Sequence, residues 1–136
     1  MKVTPYLFFN GTCEEALKFY EKVLGAKVAF IMRYKDMPAE AQSSPEAGAK
    51  IAHVRFTIGD HVIMASDAPP QRFNKPQGFD MSLGIEKPEE ADRIFKALSE
   101  GGTVTMPIAE TFWAHRFGAL VDKFGTPWMV NCEKPM

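Results

Sequence analysis

The hydrophobic pattern at the start of the chain predicts a strand followed by an amphipathic helix. Residues 3–9 are mostly apolar and aromatic, which indicates a buried strand. From residue 12 to 24 the apolar positions recur at helical spacing, so one face of this helix is expected to be buried. Thr12 followed by Glu15 predicts a capping box at its start, and Gly25 is typical of the residue just past a helix end.

The remainder of the first half predicts three more strands and a long loop. Residues 27–33 indicate one strand, and residues 51–58 and 61–66 indicate a hairpin across a two-residue Gly-Asp turn. Residues 34–50 contain Pro, Ser and Gly with few large apolar side chains, which predicts a long exposed loop. The first half therefore has the predicted order βαβββ.

The second half of the chain repeats this order. Residues 79–85 predict a strand, and Pro88 suits the first position of the helix that follows it. That helix is expected to end at a pair of glycines. Residues 103–107 then indicate a short strand, and residues 115–121 and 126–132 indicate a second hairpin.

A shared helix-start sequence relates the two halves. Glu14-Glu15-Ala16 recurs as Glu89-Glu90-Ala91, at an offset of 75 residues. A unit that occurs twice at this long period predicts a pseudo-symmetric α+β domain, whose two sheets each carry a helix on one face and leave the other concave. The expected bounds are 1–136 for a single domain, 1–66 for the first module, 67–78 for a proline-containing linker and 79–136 for the second module.

The composition excludes several classes of function. Of the 136 residues, 46% are hydrophobic and 24% charged, and the net charge of −1 favours neither nucleic acid nor a membrane as partner. No apolar run is long enough to span a bilayer and no signal-peptide core is present, so a cytoplasmic protein is expected. Cys13 is expected in the first helical turn, where the pKa of a thiol tends to fall. Both Cys13 and Cys132 are nevertheless interpreted as ordinary reduced thiols, because neither belongs to a C-x-x-C pair.

Five short motifs resemble those of a known superfamily. The sequence reads PYLFFNG at 5–11, ALKFYEKVLG at 16–25, ETFW at 110–113, RFG at 116–118 and DKFGTPW at 122–128. In this order, the motifs resemble the vicinal oxygen chelate superfamily, which includes glyoxalase I, bleomycin- and fosfomycin-resistance proteins and extradiol dioxygenases. The wording is most similar to the PhnB-like branch, although that branch usually has Gly-Asp where this chain has Ala114-His115.

The resemblance implies a fold and a set of possible metal positions. The implied fold is two βαβββ modules in a pseudo-two-fold arrangement that forms a cupped, half-open barrel, commonly in a homodimer. Members with metal chemistry place four His, Glu or Gln ligands in the cup. The corresponding positions here are Pro5, Ile63, Asp80 and Met129, which supply too few donor atoms for a divalent cation. We therefore expect neither a metal nor another cofactor.

Strand alternation predicts which side chains face the cup. In the first module, Val54, Val62 and Met64 are expected beneath the helix, and in the second Leu120, Trp128 and Val130. The remaining inward positions would form a mostly apolar pocket with a few polar groups, which is typical of a small-molecule site. The candidate pocket residues are Leu7, Phe9, His53, Arg55, Ile63, Asp80, Ser82, Trp113, His115, Phe117 and Met129.

Two features of the candidate pocket each have two interpretations. His53 and Arg55 share a strand face and suit an anionic or carbonyl-bearing ligand, but such a pair also occurs at sheet edges or dimer contacts, bonded to carboxylates such as Asp80. Trp113 is either a lid over the pocket or part of a dimer contact.

The leading functional hypothesis is a PhnB-like protein of unassigned reaction that binds a small organic molecule in a metal-free pocket. The expected partners are that ligand and a second copy of the chain, with no nucleic acid and no membrane. One alternative is a lyase, isomerase or dioxygenase that uses a metal held by His53 and Asp80, or His53 as a base. Another is a structural or regulatory subunit whose pocket is packed shut by Leu7, Phe9, Phe117 and Met129.

Overall fold

The predicted secondary structure is present throughout the described part of the chain. The computed structural model describes residues 1–38 and 47–135. Within them, eight strands and two α-helices follow the predicted order βαβββ–βαβββ, which confirms the α+β class and the two modules. The elements are β1 (Tyr6–Phe9), α1 (Cys13–Leu24), β2 (Lys27–Arg33), β3 (Ile51–Ile58), β4 (His61–Asp67), β5 (Met81–Gly84), α2 (Pro88–Ser99), β6 (Thr103–Ala109), β7 (Ala114–Val121) and β8 (Pro127–Glu133).

The chain divides into two compact units, Met1–Asn74 and Lys75–Met136. The first contains a four-stranded sheet in the order β1-β4-β3-β2, and the second a sheet in the order β5-β8-β7-β6. In each sheet the first pair is parallel and the other two pairs are antiparallel. The boundary falls inside the predicted linker 67–78, while the single domain of 1–136 stays a prediction.

Helix α1 packs one face against the first sheet. Its buried residues include Ala16, Leu17 and Tyr20, at the predicted helical spacing. The ring of Tyr20 lies 6.5 Å from that of Phe9 and 6.4 Å from that of Phe56, measured between centroids. These aromatic contacts fix which face of the sheet lies beneath the helix.

The start of α1 is held by a distant carboxylate and not by the predicted capping box. Thr12 makes no side-chain cap hydrogen bond, which corrects that prediction. Instead the backbone N–H of Cys13 donates to Oδ1 of Asp67 at 2.9 Å, and the N–H of Ile51 donates to Oδ2 at 2.9 Å. Asp67 is only 3% exposed, so this carboxylate joins the helix start, β3 and β4 inside the first unit.

The predicted loop 34–50 is partly described, because residues 39–46 lie outside the described residues. Tyr34–Asp36 forms a short 3₁₀ turn. The backbone N–H of Tyr34 donates to the carbonyl of Lys50 at 3.1 Å. The Tyr34 hydroxyl donates to the carbonyl of Asp67 at 2.7 Å, so the start of this segment is tied to the end of β4.

In the second unit, a buried aspartate organises the β7–β8 turn. Oδ1 of Asp122 accepts hydrogen bonds from the N–H groups of Phe124 and Thr126, at 2.9 and 3.1 Å. Oδ2 accepts from Nε1 of Trp128 at 2.9 Å. The Asp122 carboxylate therefore holds residues 122–128 in one turn conformation, which gives this motif a structural role.

Candidate functional site

The helix-covered face of the first sheet differs from the predicted one. Phe56 pairs with Ile63, and Val54 with Ala65, so all four side chains lie on the face that packs against Tyr20 of α1. Opposed positions share a face, and the two-residue turn places Ile58 opposite His61. Even-numbered positions of β3 therefore pair with odd-numbered positions of β4, and the paired side chains share one face of the sheet.

This register corrects five residue assignments. Leu7, Phe9 and Ile63 were expected in the pocket, but they are buried on the helix-covered face. Leu7 pairs with the buried Ala65, and Phe9 contacts a ring of α1. Val62 and Met64 were expected beneath the helix. They lie on the opposite, open face, because Met64 pairs with Arg55 and with Tyr6.

The open face of the first sheet carries four rings in contact, here called the aromatic row: Phe8, Tyr6, His53 and Phe30. Ring centroids are 5.0 Å apart between Phe8 and Tyr6, and 5.7 Å between Tyr6 and His53. Phe30 lies 6.3 Å from His53. The row reaches from β1 to β2, and Phe8 and Phe30 remain 51% and 49% exposed.

A hydrogen bond orients the histidine in the centre of the row. The Tyr6 hydroxyl and Nδ1 of His53 are 3.1 Å apart. The tautomer with hydrogen on Nε2 accepts this bond from the tyrosine hydroxyl. Among residues 1–38 and 47–135, Nε2 has no hydrogen-bond partner. This nitrogen is therefore the available polar atom of the row.

Arg55 lies beside the aromatic row on the same open face. It is exposed and pairs with Phe30 on β2 and with Met64 on β4. Within the described part of the first unit, no carboxylate forms an ion pair with it. Its guanidinium is thus available to an anion, as one of the two sequence interpretations required.

The face division predicted for the second unit is confirmed. Leu120 pairs with Trp128, and both are buried. Met129 pairs with Ser82 and with Ala119, on the face opposite the helix-packed pair. Phe117 has the same parity on β7 as Ala119 and is half-buried.

The other candidates of the second unit are exposed. Asp80 directly precedes β5, and His115 adjoins an irregularity in the β7–β8 pairing. Trp113 is 40% exposed and its ring contacts those of Phe112 and Phe117, at 4.9 and 5.3 Å. Whether Trp113 acts as a lid or as a dimer contact stays a prediction.

No group of three His, Cys, Asp or Glu side chains suited to a metal occurs in the described ranges. Of the four family positions, Ile63 lies beneath α1, and its neighbours on the open face are Val62 and Met64. The prediction of a metal-free site stays a prediction.

The two cysteines are buried, unpaired thiols. Burial is the main cause that raises the pKa of the Cys13 thiol, and the charge of Asp67 raises it further. This direction is opposite to the one expected from the helix start alone. Cys13 is therefore held in the neutral, unreactive form.

The sequence interpretation missed three residues of the aromatic row. Tyr6, Phe8 and Phe30 were not among the candidates, although His53 and Arg55 were. The available signal was the length of the Gly59-Asp60 turn, which fixes the register of β3 against β4. In this register Met64 pairs with Arg55. Because Tyr6 pairs with Met64 in turn, Tyr6 lies on the same face as Arg55.

The fold defines the class of protein. A glyoxylase/bleomycin resistance protein/dioxygenase domain from Frankia has a TM-score of 0.64 at 15% identity, covering 98% of each chain, and shows the fold alone. A PhnB protein from Bacillus cereus has a TM-score of 0.83 at 27% identity, covering 97% of this chain and 99% of that one. The chain thus has the vicinal oxygen chelate fold. Within the described residues, no helix is long and apolar enough to cross a membrane.

Sequence comparison identifies the family. The family model described as 3-demethylubiquinone-9 3-methyltransferase matches residues 1–131. Protein PA1353 from Pseudomonas aeruginosa is 40% identical with a TM-score of 0.88, covering 99% of both chains. Protein YjdN of Escherichia coli (strain K12) is 39% identical over 142 residues, covering 98% of this chain and 97% of YjdN. The chain therefore belongs to this family, the PhnB-like branch of the vicinal oxygen chelate superfamily.

Proposed function

We propose that this protein binds a small organic molecule on the open face of its first sheet, without a metal ion. The observation that carries the proposal is the hydrogen bond between Tyr6 and His53 within the aromatic row, beside an Arg55 without an ion-pair partner in the described part of its unit. Exposed apolar rings provide contact area for a ligand, and a few oriented polar groups provide specificity.

The oriented histidine supports binding more strongly than the rings alone. A surface histidine without a function gains little from a fixed ring orientation, whereas a binding site needs its polar atom directed before the ligand arrives. The Tyr6 hydroxyl occupies Nδ1 and leaves Nε2 available to a ligand. Arg55 adds a permanent positive charge on the same strand face.

A fragment screen followed by two-dimensional NMR tests this proposal. Compounds that bind should shift the backbone amide signals of Tyr6, His53 and Phe30. His53→Ala should weaken their binding about tenfold, since a hydrogen bond in a site contributes roughly 0.5–1.5 kcal/mol and the oriented ring is lost with it. His61→Ala is the matched control, because His61 is exposed at the β3–β4 turn. Equal losses in both variants, or ligand shifts confined to other faces, would overturn the proposal.

Metal-dependent and methyl-transfer reactions are the competing functions. The superfamily fold hosts metal enzymes according to the resemblance, and the matched family description names a methyltransferase. Elemental analysis of protein purified without chelators tests the first. A stoichiometric divalent metal that is lost in His53→Ala would contradict a metal-free site. Saturable binding of S-adenosylmethionine, followed by transfer of its methyl group to a compound from the screen, would support the second.

We infer that the protein forms a homodimer. Strands β2 and β6 each form one edge of their sheet, and most of their residues are exposed. The exposed residues outside the aromatic row include large apolar side chains that self-association would cover: Val28, Ile31, Val104 and Met106. Light scattering coupled to size-exclusion chromatography should give twice the 15.2 kDa chain mass, and a monomer at high concentration would contradict this inference.

We also infer that the protein acts in the cytoplasm. The free, buried thiols of Cys13 and Cys132 suit a reducing compartment. Cell fractionation of the native host tests this location, and recovery of the protein with the membrane or outside the cell would contradict it.

A further inference from the structure

The ligand class follows from the chemistry of the aromatic row and its charged neighbour. We propose that the site takes a planar aromatic monocarboxylate that carries a second oxygen at the opposite end of its ring. This inference rests on the proposed binding function and names the class of compound that the same site selects.

The rings of the row favour a planar aromatic ligand. Phe8 and Phe30 are about half exposed, so their ring faces are available for stacking. Aromatic pairs attract each other through their rings in addition to burying their area. A saturated ring of similar size gains the burial but not the ring–ring interaction. The row therefore discriminates between flat and puckered rings.

Arg55 selects the charge of the ligand. A guanidinium binds a carboxylate through two parallel hydrogen bonds, in a geometry that a neutral amide does not reproduce. Arg55 pairs directly with Phe30, so a ring stacked on Phe30 places its carboxylate within reach of the guanidinium. One guanidinium matches the single charge of a carboxylate.

The spacing of His53 and Arg55 sets the position of the second oxygen. Two residues apart on a strand, their Cα atoms are separated by roughly 6.5 Å. This separation is close to the length of a benzene ring with substituents at opposite ends. With the carboxylate at Arg55, a hydroxyl or carbonyl oxygen at the far end reaches Nε2 of His53, whose ring Tyr6 orients.

Three probes of similar size separate the contributions of charge and planarity: 4-hydroxybenzoate, its neutral amide 4-hydroxybenzamide, and the non-planar trans-4-hydroxycyclohexanecarboxylate. Dissociation constants are measured by NMR titration on the signals of Tyr6, His53 and Phe30. We expect 4-hydroxybenzoate to bind at least about tenfold more tightly than the amide, since hydrogen bonds to charged groups contribute roughly 1.5–3 kcal/mol. The trans-4-hydroxycyclohexanecarboxylate, which keeps the hydroxyl and the carboxylate, should bind more weakly than 4-hydroxybenzoate because its ring is not planar.

Variants assign the preference to named side chains. Arg55→Gln should remove the preference for the carboxylate over the amide, whereas Arg72→Gln should preserve it, because Arg72 is an exposed arginine outside the sheet. Phe30→Leu should reduce the preference for the planar ring. An unchanged carboxylate preference in Arg55→Gln would overturn the inference.

The outcomes also distinguish this inference from the function on which it rests. If the amide binds as tightly as the acid at the same signals, the ligand class is wrong and the binding function stands. If none of the three probes binds but other screened fragments shift Tyr6 and His53, the result is the same. If no compound in the whole screen shifts these signals, both the class and the proposed function fail.

Discussion

The two units share an order of elements but differ in how they use their buried aspartates. In the first unit, Asp67 accepts N–H groups from Cys13 and Ile51, which lie 54 and 16 residues away along the chain. In the second unit, the Asp122 carboxylate accepts N–H groups from Phe124, Thr126 and Trp128, which lie two to six residues away. The difference shows that a repeated backbone can be held by a long-range carboxylate in one copy and by a local one in the other.

Removal of the two carboxylates gives the largest expected effect. Asp67→Ala leaves two buried N–H groups without an acceptor, and should lower the free energy of unfolding by about 3 kcal/mol or more. Asp122→Ala should lower it by a similar amount, because the N–H of Thr126 and the Nε1–H of Trp128 are also buried. Urea unfolding followed by circular dichroism measures both. A loss below about 1 kcal/mol in either variant would contradict the structural role of that carboxylate.

The second largest effect is expected at a glycine of the second unit, Gly118. Gly118 lies on the helix-covered face of the second sheet, where an added Cβ would come within 2.7 Å of Phe95 and 2.9 Å of Ile108. Gly118→Ala should therefore destabilise the protein by about 1–3 kcal/mol. Gly84→Ala is the control, because nothing lies within 4 Å of its added Cβ. Melting temperatures of the two variants test this, and similar values would show that α2 moves to make room.

The smallest expected effect concerns the exposed ion pairs. Arg33 of β2 binds Glu14 of α1 at 2.7 Å, whereas Arg93 and Glu90 pair within α2. The hydrogen bond from Arg33 is the main cause that lowers the pKa of Glu14. Because the Glu14 side chain is 43% exposed, the pair should contribute at most about 1 kcal/mol.

The sign of this contribution fixes its pH dependence. A carboxyl whose pKa is lower in the folded state adds stability above its unfolded pKa and loses it as the pH falls through the folded value. Glu14→Gln should thus be less stable than the wild type at neutral pH, and the difference should be smaller at about pH 3, below the unfolded pKa of glutamate. Urea unfolding at both pH values measures the difference, with Glu90→Gln as the control within one helix. A Glu14→Gln defect that persists at the low pH would indicate a packing role instead.

The sequence predicted the elements well because their signals are local. Helical spacing located α1 and α2, and Gly25 does adopt the left-handed conformation at the end of α1, with φ of 70°. The Asp67 cap was missed because its partners are distant along the chain. No local sequence pattern predicts those hydrogen bonds.

The face of the sheet that the helix covers was predicted correctly for the second sheet and in part for the first. In the second sheet, the five-residue connection from Asp122 to Thr126 keeps paired positions at the same parity, as in Leu120 with Trp128. In the first sheet, the two-residue turn reverses parity and pairs Val54 with Ala65. The prediction applied one parity to both hairpins. It therefore placed His53 and Arg55 correctly on the open face. It also placed Ile63 on that face, where the structure has Met64.

The aromatic residues also give each unit its own optical label. All three tyrosines, Tyr6, Tyr20 and Tyr34, belong to the first unit, and both tryptophans, Trp113 and Trp128, belong to the second. Trp128 is buried in the core and hydrogen-bonded to Asp122, so the wavelength of its fluorescence emission reports whether the second unit is folded. Tyrosine signals in the near ultraviolet follow the first. One unmodified sample therefore reveals whether the two halves melt together or one after the other.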